Sequence, residues 1–415
     1  MKIDHSTQRL RYFDGLRAIA ALIVLNEHFL KIFVPTAYID EAQWPISHPG
    51  IAWLSFPPFN LLSNGAPAVT LFFVLSGWVL SRYIQSQERV HLIGEGMKRY
   101  VRLMLPCFAS VVLIYVVMQF GDYDAHDHLL AAGSKEHTFQ SYQMDLMDVV
   151  KQGLYGTVLL EDFRLNPPLW TMSVEFYGAI FIFSMSWLWG AFIRWGLIGD
   201  GGRLAAQIII PSAMLVVATN SLTFGFFFGM LLHTITRTPQ IKAALVKYRR
   251  FWMAPTMIIG VILFAYMVRG SFQSPYTSIS YWGLNKLYEY AYNAIGAGLI
   301  LIVVYYSPRL QAILESKPLL WLGKLSFSIY LTHYVVLMSV AVLVKSLSNE
   351  TSSLLSIFLT GTAAIILTIF ISVVFERFID RPSIQLSRKV KVIAVEIGSR
   401  LLRRDAMSVQ QPNNA

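Results

Sequence analysis

Charge is scarce in this chain. Of its 415 residues only 14% are Asp, Glu, Lys or Arg, against about 25% in soluble domains. Hydrophobic residues make up 55% and mean hydropathy is +0.51. An ordinary soluble enzyme is excluded, and the composition is that of an integral membrane protein. Cysteine is scarcer still. Cys107 stands alone, which excludes an internal disulfide and any thiolate metal cluster. In its apolar run it reads as an inert core residue. The N-terminus Met1–Gln8 is polar, and no small-residue cleavage site follows Leu16–Phe33, so the first apolar run is expected to be retained. No internal repeat stands out. The net charge of +10 is no nucleic-acid signature, because no basic patch interleaves with stacking aromatics on a soluble face.

Long apolar runs are abundant. A spanning helix needs about 20 mostly apolar residues. Ten runs qualify: Leu16–Phe33, Pro67–Ile84, Val101–Phe120, Leu169–Ile193, Leu204–Thr219, Ser221–Thr236, Phe251–Val268, Tyr288–Tyr306, Leu325–Val344 and Leu354–Phe375. The fold class expected is an all-α membrane protein, with about ten transmembrane helices in one bundle. With a cytoplasmic N-terminus, 27 of the 34 Lys and Arg fall on the cytoplasmic side, and the segment Pro35–Ala66 carries none. The positive-inside bias therefore predicts that both termini are cytoplasmic. The transmembrane domain is expected over 1–382. A basic cytoplasmic tail follows over 383–415, first an amphipathic surface helix and then disorder from about Met407.

Two outer loops are long: Pro35–Ala66, rich in Pro, Trp and Ser, and the acidic Gly121–Pro167. Gly121–Pro167 contains Asp124, His126, Asp127, His128 and His137. No helix fixes their spacing, so the loop reads as solvated and no metal site is expected. Asn349-Glu350-Thr351 is a glycosylation sequon in a predicted outer loop.

Ionisable side chains inside apolar runs are costly and usually face a bundle interior or cavity. The first run holds Asn26, Glu27 and His28. Arg17 and His28 are eleven residues apart, which on a helix is about 20° in azimuth and about 16 Å along the axis. They share a face, with Ala21 and Val24 between them leaving room for something slender. Glu27 lies off that face, where it is free to pair with another helix. In NPPLWTMSVEFYG, Asn166-Pro167 reads as an N-cap and first turn, Trp170 as an interface residue, and Glu175 as a carboxylate about 8 Å deeper. Glu175 is the expected partner of His28, fixing its tautomer and raising its basicity. Ser76 and His333 reach the same layer. The plainer reading of Ser76-Gly77 is a small-residue packing point between helices, and that of His333 a hydrogen bond to a neighbouring helix. Arg99 and Arg102 share a helix face at i, i+3. With Arg17 and Arg82 they form a cationic rim, suited to phosphate or to plain positive-inside anchoring.

These elements together resemble the acyltransferase 3 family of membrane O-acyltransferases. Tyr12–His28, with Asp14-Gly15-Leu16-Arg17 and the arginine eleven residues before the histidine, resembles its signature. LFFVLSGWVLSR (Leu71–Arg82), Arg99-Tyr-Val-Arg102, LWTMSVEFYG, FFFGMLLH (Phe226–His233), LGKLSFSIYLTHY (Leu322–Tyr334) and FERFIDRPS (Phe375–Ser383) follow in the family's order. Asn26-Glu27 departs from it, since members more often have apolar residues there. The resemblance implies transfer of an acyl group, usually acetyl, from acyl-CoA to a hydroxyl of a glycan, lipid or small metabolite. No tightly bound cofactor is expected, and acyl-CoA is a co-substrate. On that reading His28 is general base and Glu175 its orienting partner. Arg17, Arg82, Arg99 and Arg102 hold the donor, and Asp14, Asn26, Ser76, Trp170, Tyr330 and His333 line the site. An acyl-histidine intermediate is the variant mechanism. The alternative reading is a transporter using His28, Glu175 and His333 as a proton relay. Against it, no repeated half and no paired broken helices are visible.

Overall fold

The computed structural model describes residues 10–33, 53, 58–85, 89–120, 144–196, 208–209, 211–215, 218, 221–266, 289–347 and 354–409. Among them all regular structure is helical. Ten long helices carry the architecture: α1 (Arg11–Phe33), α2 (Ala66–Leu80), α3 (Arg89–Phe120), α4 (Trp170–Arg194), α5 (Phe224–Arg237), α6 (Arg249–Phe264), α7 (Glu289–Tyr306), α8 (Lys317–Leu347), α9 (Leu354–Phe375) and α10 (Arg381–Val409).

Nine of these overlie expected apolar runs. Half of the run Leu204–Thr219 lies outside the described residues, with 208–209 and 211–215 helical; His126, His128, His137 and the sequon lie outside them. Five described spans are long and apolar enough to cross a bilayer, within α2, α3, α4, α8 and the continuous α9–α10. α7 and the short helix Pro308–Leu314, which bends from it by 103°, would make a sixth if the pair is one broken span. That break follows from local chemistry. Ser307 caps the second helix through Leu310 N at 3.4 Å, and Pro308 sits at its first position. α1 is long enough to span but carries Asp14, Arg17, Glu27 and Lys31.

Burial sorts the helices. The apolar windows of α8 and α2 are 78% and 72% buried, whereas that of α9–α10 is only 28%. α2 and α8 are therefore the centre of the bundle. α9 presents Leu355, Phe358, Leu359, Ile366 and Phe370 outward. An exposed apolar face of that extent is stable against lipid and not against water, so the chain is a membrane protein.

Small residues let the central helices touch backbone to backbone. A Cβ on Gly77 of α2 would strike the Phe226 carbonyl of α5, and one on Gly229 of α5 would strike the Val74 carbonyl of α2. A Cβ on Gly323 of α8 would strike the Asp14 carbonyl of α1, and one on Gly15 would strike that of Leu314. Buried amides add cross-ties. Asn293 Nδ2 donates to the carbonyls of Phe264 at 3.0 Å and Tyr266 at 2.9 Å. Asn166 Nδ2 donates to Ser110 Oγ at 2.7 Å and the Leu331 carbonyl at 3.1 Å. Asn166 thus ties the entry of α4 to α3 and α8. The expected side-chain cap does not form, because the amide is drawn into this buried junction.

α9 passes into α10 through one turn of π-helix, Glu376–Asp380. α10 continues to Val409, where the described part ends, close to the point near Met407 where helix is expected to give way. Residues 410–415 lie outside the described part.

Candidate functional site

Near the N-terminal end of α1, a cavity of about 1060 Å³ opens between α1, α2, α3, α4, α8 and α10. Nine Lys or Arg and five Asp or Glu side chains line it, so its walls are net cationic. Arg11, Asp14 and Arg17 come from α1, spaced to share its face. Lys98, Arg99 and Arg102 come from α3, and Arg82 from the turn after α2. From α10 come Arg381, Ile384, Gln385 and Arg388, an i, i+3, i+4, i+7 stripe.

Most of the inner cations are matched by carboxylates. Glu175 Oε1 accepts from Ser76 Oγ at 2.6 Å and forms an ion pair with Arg99. Arg102 pairs with Asp380 at 2.5 Å, donates to Ser383 Oγ at 3.3 Å and stacks over Phe327. Glu376 holds Arg381 at 2.8 Å and Lys324 at 3.3 Å. Glu95 holds Lys391 at 2.5 Å and Lys98 at 2.9 Å, which braces α10 against α3. Asp14 faces Arg17 at 3.5 Å. The π-turn serves this network directly. Its widened register brings Glu376 and Asp380, both buried, to the cavity wall.

Going inward, the walls become apolar at Val69, Phe72 and Met172 and end at Thr171 and Tyr330. The Tyr330 hydroxyl donates to the Pro168 carbonyl at 2.8 Å and shares a hydrogen bond with Thr171 Oγ1 at 2.8 Å. Its ring lies 6.3 Å from that of Phe72 and 5.8 Å from that of His333. The His333 ring is 5.1 Å from that of His28, which meets Tyr334 edge-on at 5.5 Å. His333 Nδ1 is 3.0 Å from the Ile329 carbonyl. That carbonyl can only accept, so Nδ1 carries the proton and Nε2 is left as an acceptor. Nε2 is buried, with no hydrogen-bond partner among the described residues. His333 thus stands directly behind the inner wall, with His28 behind it.

The cavity brings together eight of the expected residues: Asp14, Arg17, Ser76, Arg82, Arg99, Arg102, Glu175 and Tyr330. His28 and His333 lie behind Tyr330. Trp170 and Asn26 do not line the cavity. Trp170 packs against the core, and Asn26 donates to the Leu62 carbonyl. The expected His28–Glu175 hydrogen bond is replaced. Glu175 bonds Ser76 and Arg99, and His28 takes His333 as its ring neighbour. The slender passage along Ala21 and Val24 is also replaced. Both residues are buried, with Ala21 packed on Leu325 and Ile329 of α8, because Gly323 lets α8 close onto α1. The open route runs instead along α2 and α4. Glu27 pairs with Lys31 one turn further along its own helix at 3.3 Å, not with another helix. Unforeseen in the site were Asp380, Glu376, Arg381 and Arg388. The alternating acids and bases of FERFIDRPS were the signal for the first three, but the π-turn that aims them was not legible, and Arg388 lies beyond that motif.

By fold the chain is an all-helical membrane protein, with a net-cationic cavity that ends at Tyr330, in front of His333. The chain belongs to the family whose model is described as an acyltransferase domain, which matches residues 10–377, and it is an acyltransferase. It is 23% identical to acyltransferase clz18 of Cochliobolus lunatus over 81% of this chain and 84% of that one. It is 22% identical to O-acetyltransferase PaAT-1 of Phomopsis amygdali over 93% and 85%. To the peptidoglycan O-acetyltransferase OatA of Listeria monocytogenes it is 21% identical over 80% of this chain and 50% of that one. No solved structure matches the chain.

Proposed function

We propose that the protein is a multi-pass O-acyltransferase that moves an acyl group, acetyl by preference, from acyl-CoA to a hydroxyl of a glycan, lipid or small metabolite. The observation that carries this reading is one continuous cavity that runs from a cationic rim to Tyr330, whose ring contacts His333, which in turn contacts His28. Acyl-CoA has a matching polarity. Its phosphates suit the rim, and its thin arm suits the apolar inner walls. The relatives named as O-acetyltransferases support the same reading.

On this reading ten helices cross the membrane and both termini are cytoplasmic, as the distribution of Lys and Arg argues. The rim then faces the cytoplasm, where acyl-CoA is made. His28, at mid-depth, accepts the proton of the acceptor hydroxyl as its oxygen attacks the thioester carbonyl. The C–S bond breaks, the ester is released, and the proton passes to the departing thiolate. His333, fixed in one tautomer by Ile329, packs against His28 and limits its ring orientations. Glu175 positions Arg99 at the wall where charge gathers on the thioester oxygen, so its part is electrostatic.

Purified protein in nanodiscs is to be incubated with radiolabelled acetyl-CoA and a membrane and metabolite extract, with thiol release and labelled products followed by mass spectrometry. An acetyl ester formed in step with free thiol is expected. Labelled solute taken up into proteoliposomes, with no thiol released, would overturn the assignment.

A further inference from the structure

The cations expected to hold the donor are largely neutralised before any donor arrives. Arg99 is matched by Glu175 and Arg102 by Asp380. Arg17 faces Asp14, and Arg381 and Lys324 share Glu376. Three cavity-lining arginines differ: Arg11, Arg82 and Arg388. Among the described residues none of them has an ion pair or hydrogen bond to a carboxylate. Arg82 donates to the Tyr83 hydroxyl at 2.9 Å and lies over that ring. All three are exposed and come from three separate elements.

Their position follows from helix register. Arg11 opens α1, about 25 Å along the axis from His28 at 1.5 Å per residue. Arg388 is seven residues beyond Arg381 on the cavity-facing stripe of α10, thirteen residues past the end of α9. The uncompensated charge is therefore exposed at the cavity mouth, whereas the more buried arginines, Arg99 and Arg102, are compensated. An acyl-CoA whose thioester reaches the inner wall leaves its nucleotide end at the rim. That end carries a phosphomonoester on the ribose, a compact dianion. A dianion gains most from guanidinium groups that hold no other anion and can bind it bidentately.

We propose that Arg388, with Arg82 and Arg11, forms a subsite for the ribose phosphomonoester of acyl-CoA, so that the tail helix α10 is part of the donor site. This rests on the function proposed above. It also accounts for the Lys391–Glu95 brace, which holds α10 where Arg388 can overhang the mouth.

The test compares acetyl-CoA with 3′-dephospho-acetyl-CoA as donors, in nanodiscs of neutral and of anionic lipid. Arg388→Ala raises the KM for acetyl-CoA about fivefold, the effect of one exposed charge-assisted contact, and changes the KM for the dephospho donor by much less. Lys389→Ala, next door but outside the cavity, leaves both KM values at wild type. Equal penalties with the two donors, or an unchanged KM for acetyl-CoA, would overturn the subsite. A penalty confined to anionic discs would assign Arg388 to a lipid headgroup and overturn it equally. Wild-type protein that transfers nothing from either donor would refute the acyl-CoA reading itself, which is a separate outcome from an insensitive Arg388 in an active enzyme.

Discussion

At the scale of single residues, the site depends on which polar groups face one another. His28→Ala is expected to lower transfer by about 10²–10⁴-fold, the usual contribution of a positioned base, with membrane insertion and detergent elution unchanged. Wild-type turnover in that variant would remove the base from the mechanism. Asp380→Asn leaves Arg102 without its counter-charge in a largely buried setting. Breaking such a pair costs about 3–5 kcal/mol when both partners are buried, and less here because Arg102 is 27% exposed. A drop in Tm in detergent, partly recovered in Asp380→Asn with Arg102→Gln, checks it. Identity and helical spacing made the arginines, Ser76 and Glu175 legible in the sequence, since all lie in the cavity. Pairing was not legible. Glu175 reaches Arg99 and Ser76 because α3 and α2 flank α4, and neighbour choice between helices leaves no periodic trace along one chain.

At the scale of elements, glycine decides how closely the helices approach. Gly77 and Gly229 each place a bare α-carbon against the other helix's carbonyl. Gly77→Ala or Gly229→Ala is expected to destabilise by about 1–3 kcal/mol, the usual cost of overpacking, because backbone cannot yield as a flexible side chain can. Tm measured in one detergent for both variants tests this, and a shift in only one would show that the contact is not reciprocal. The apolar runs announced these helices well, to within a few residues at most ends. Two things were hidden. α3 begins at Arg89, a dozen residues before its apolar run, because its polar first turns are braced by Lys391 of α10 on Glu95. The π-turn Glu376–Asp380 adds one residue to a register that reads as ordinary helix.

At the scale of the whole molecule, charge distribution sets the expected orientation. The lone Cys107 is fully buried, so a Cys107→Ala background gives a chain without thiols for labelling. Single cysteines placed at Thr36, in the lysine- and arginine-free segment, and at Ser408, in the tail, are expected to react from opposite sides with a membrane-impermeant maleimide. Ser408 labels only after permeabilisation of intact cells. Labelling of both from one side would contradict the cytoplasmic tail and place the cavity mouth in the wrong compartment for acyl-CoA.

His28 and His333 belong to α1 and α8, the two helices that Gly323 presses together. Any shear between these rods would have to prise apart main chain, so the imidazoles travel as one rigid tool, whatever sequence the outer segments Pro35–Ala66 and Gly121–Pro167 carry. Chimeras that import only those outer stretches from a relative such as acyltransferase clz18 are therefore expected to trade one acceptor for another while keeping the donor kinetics of the host.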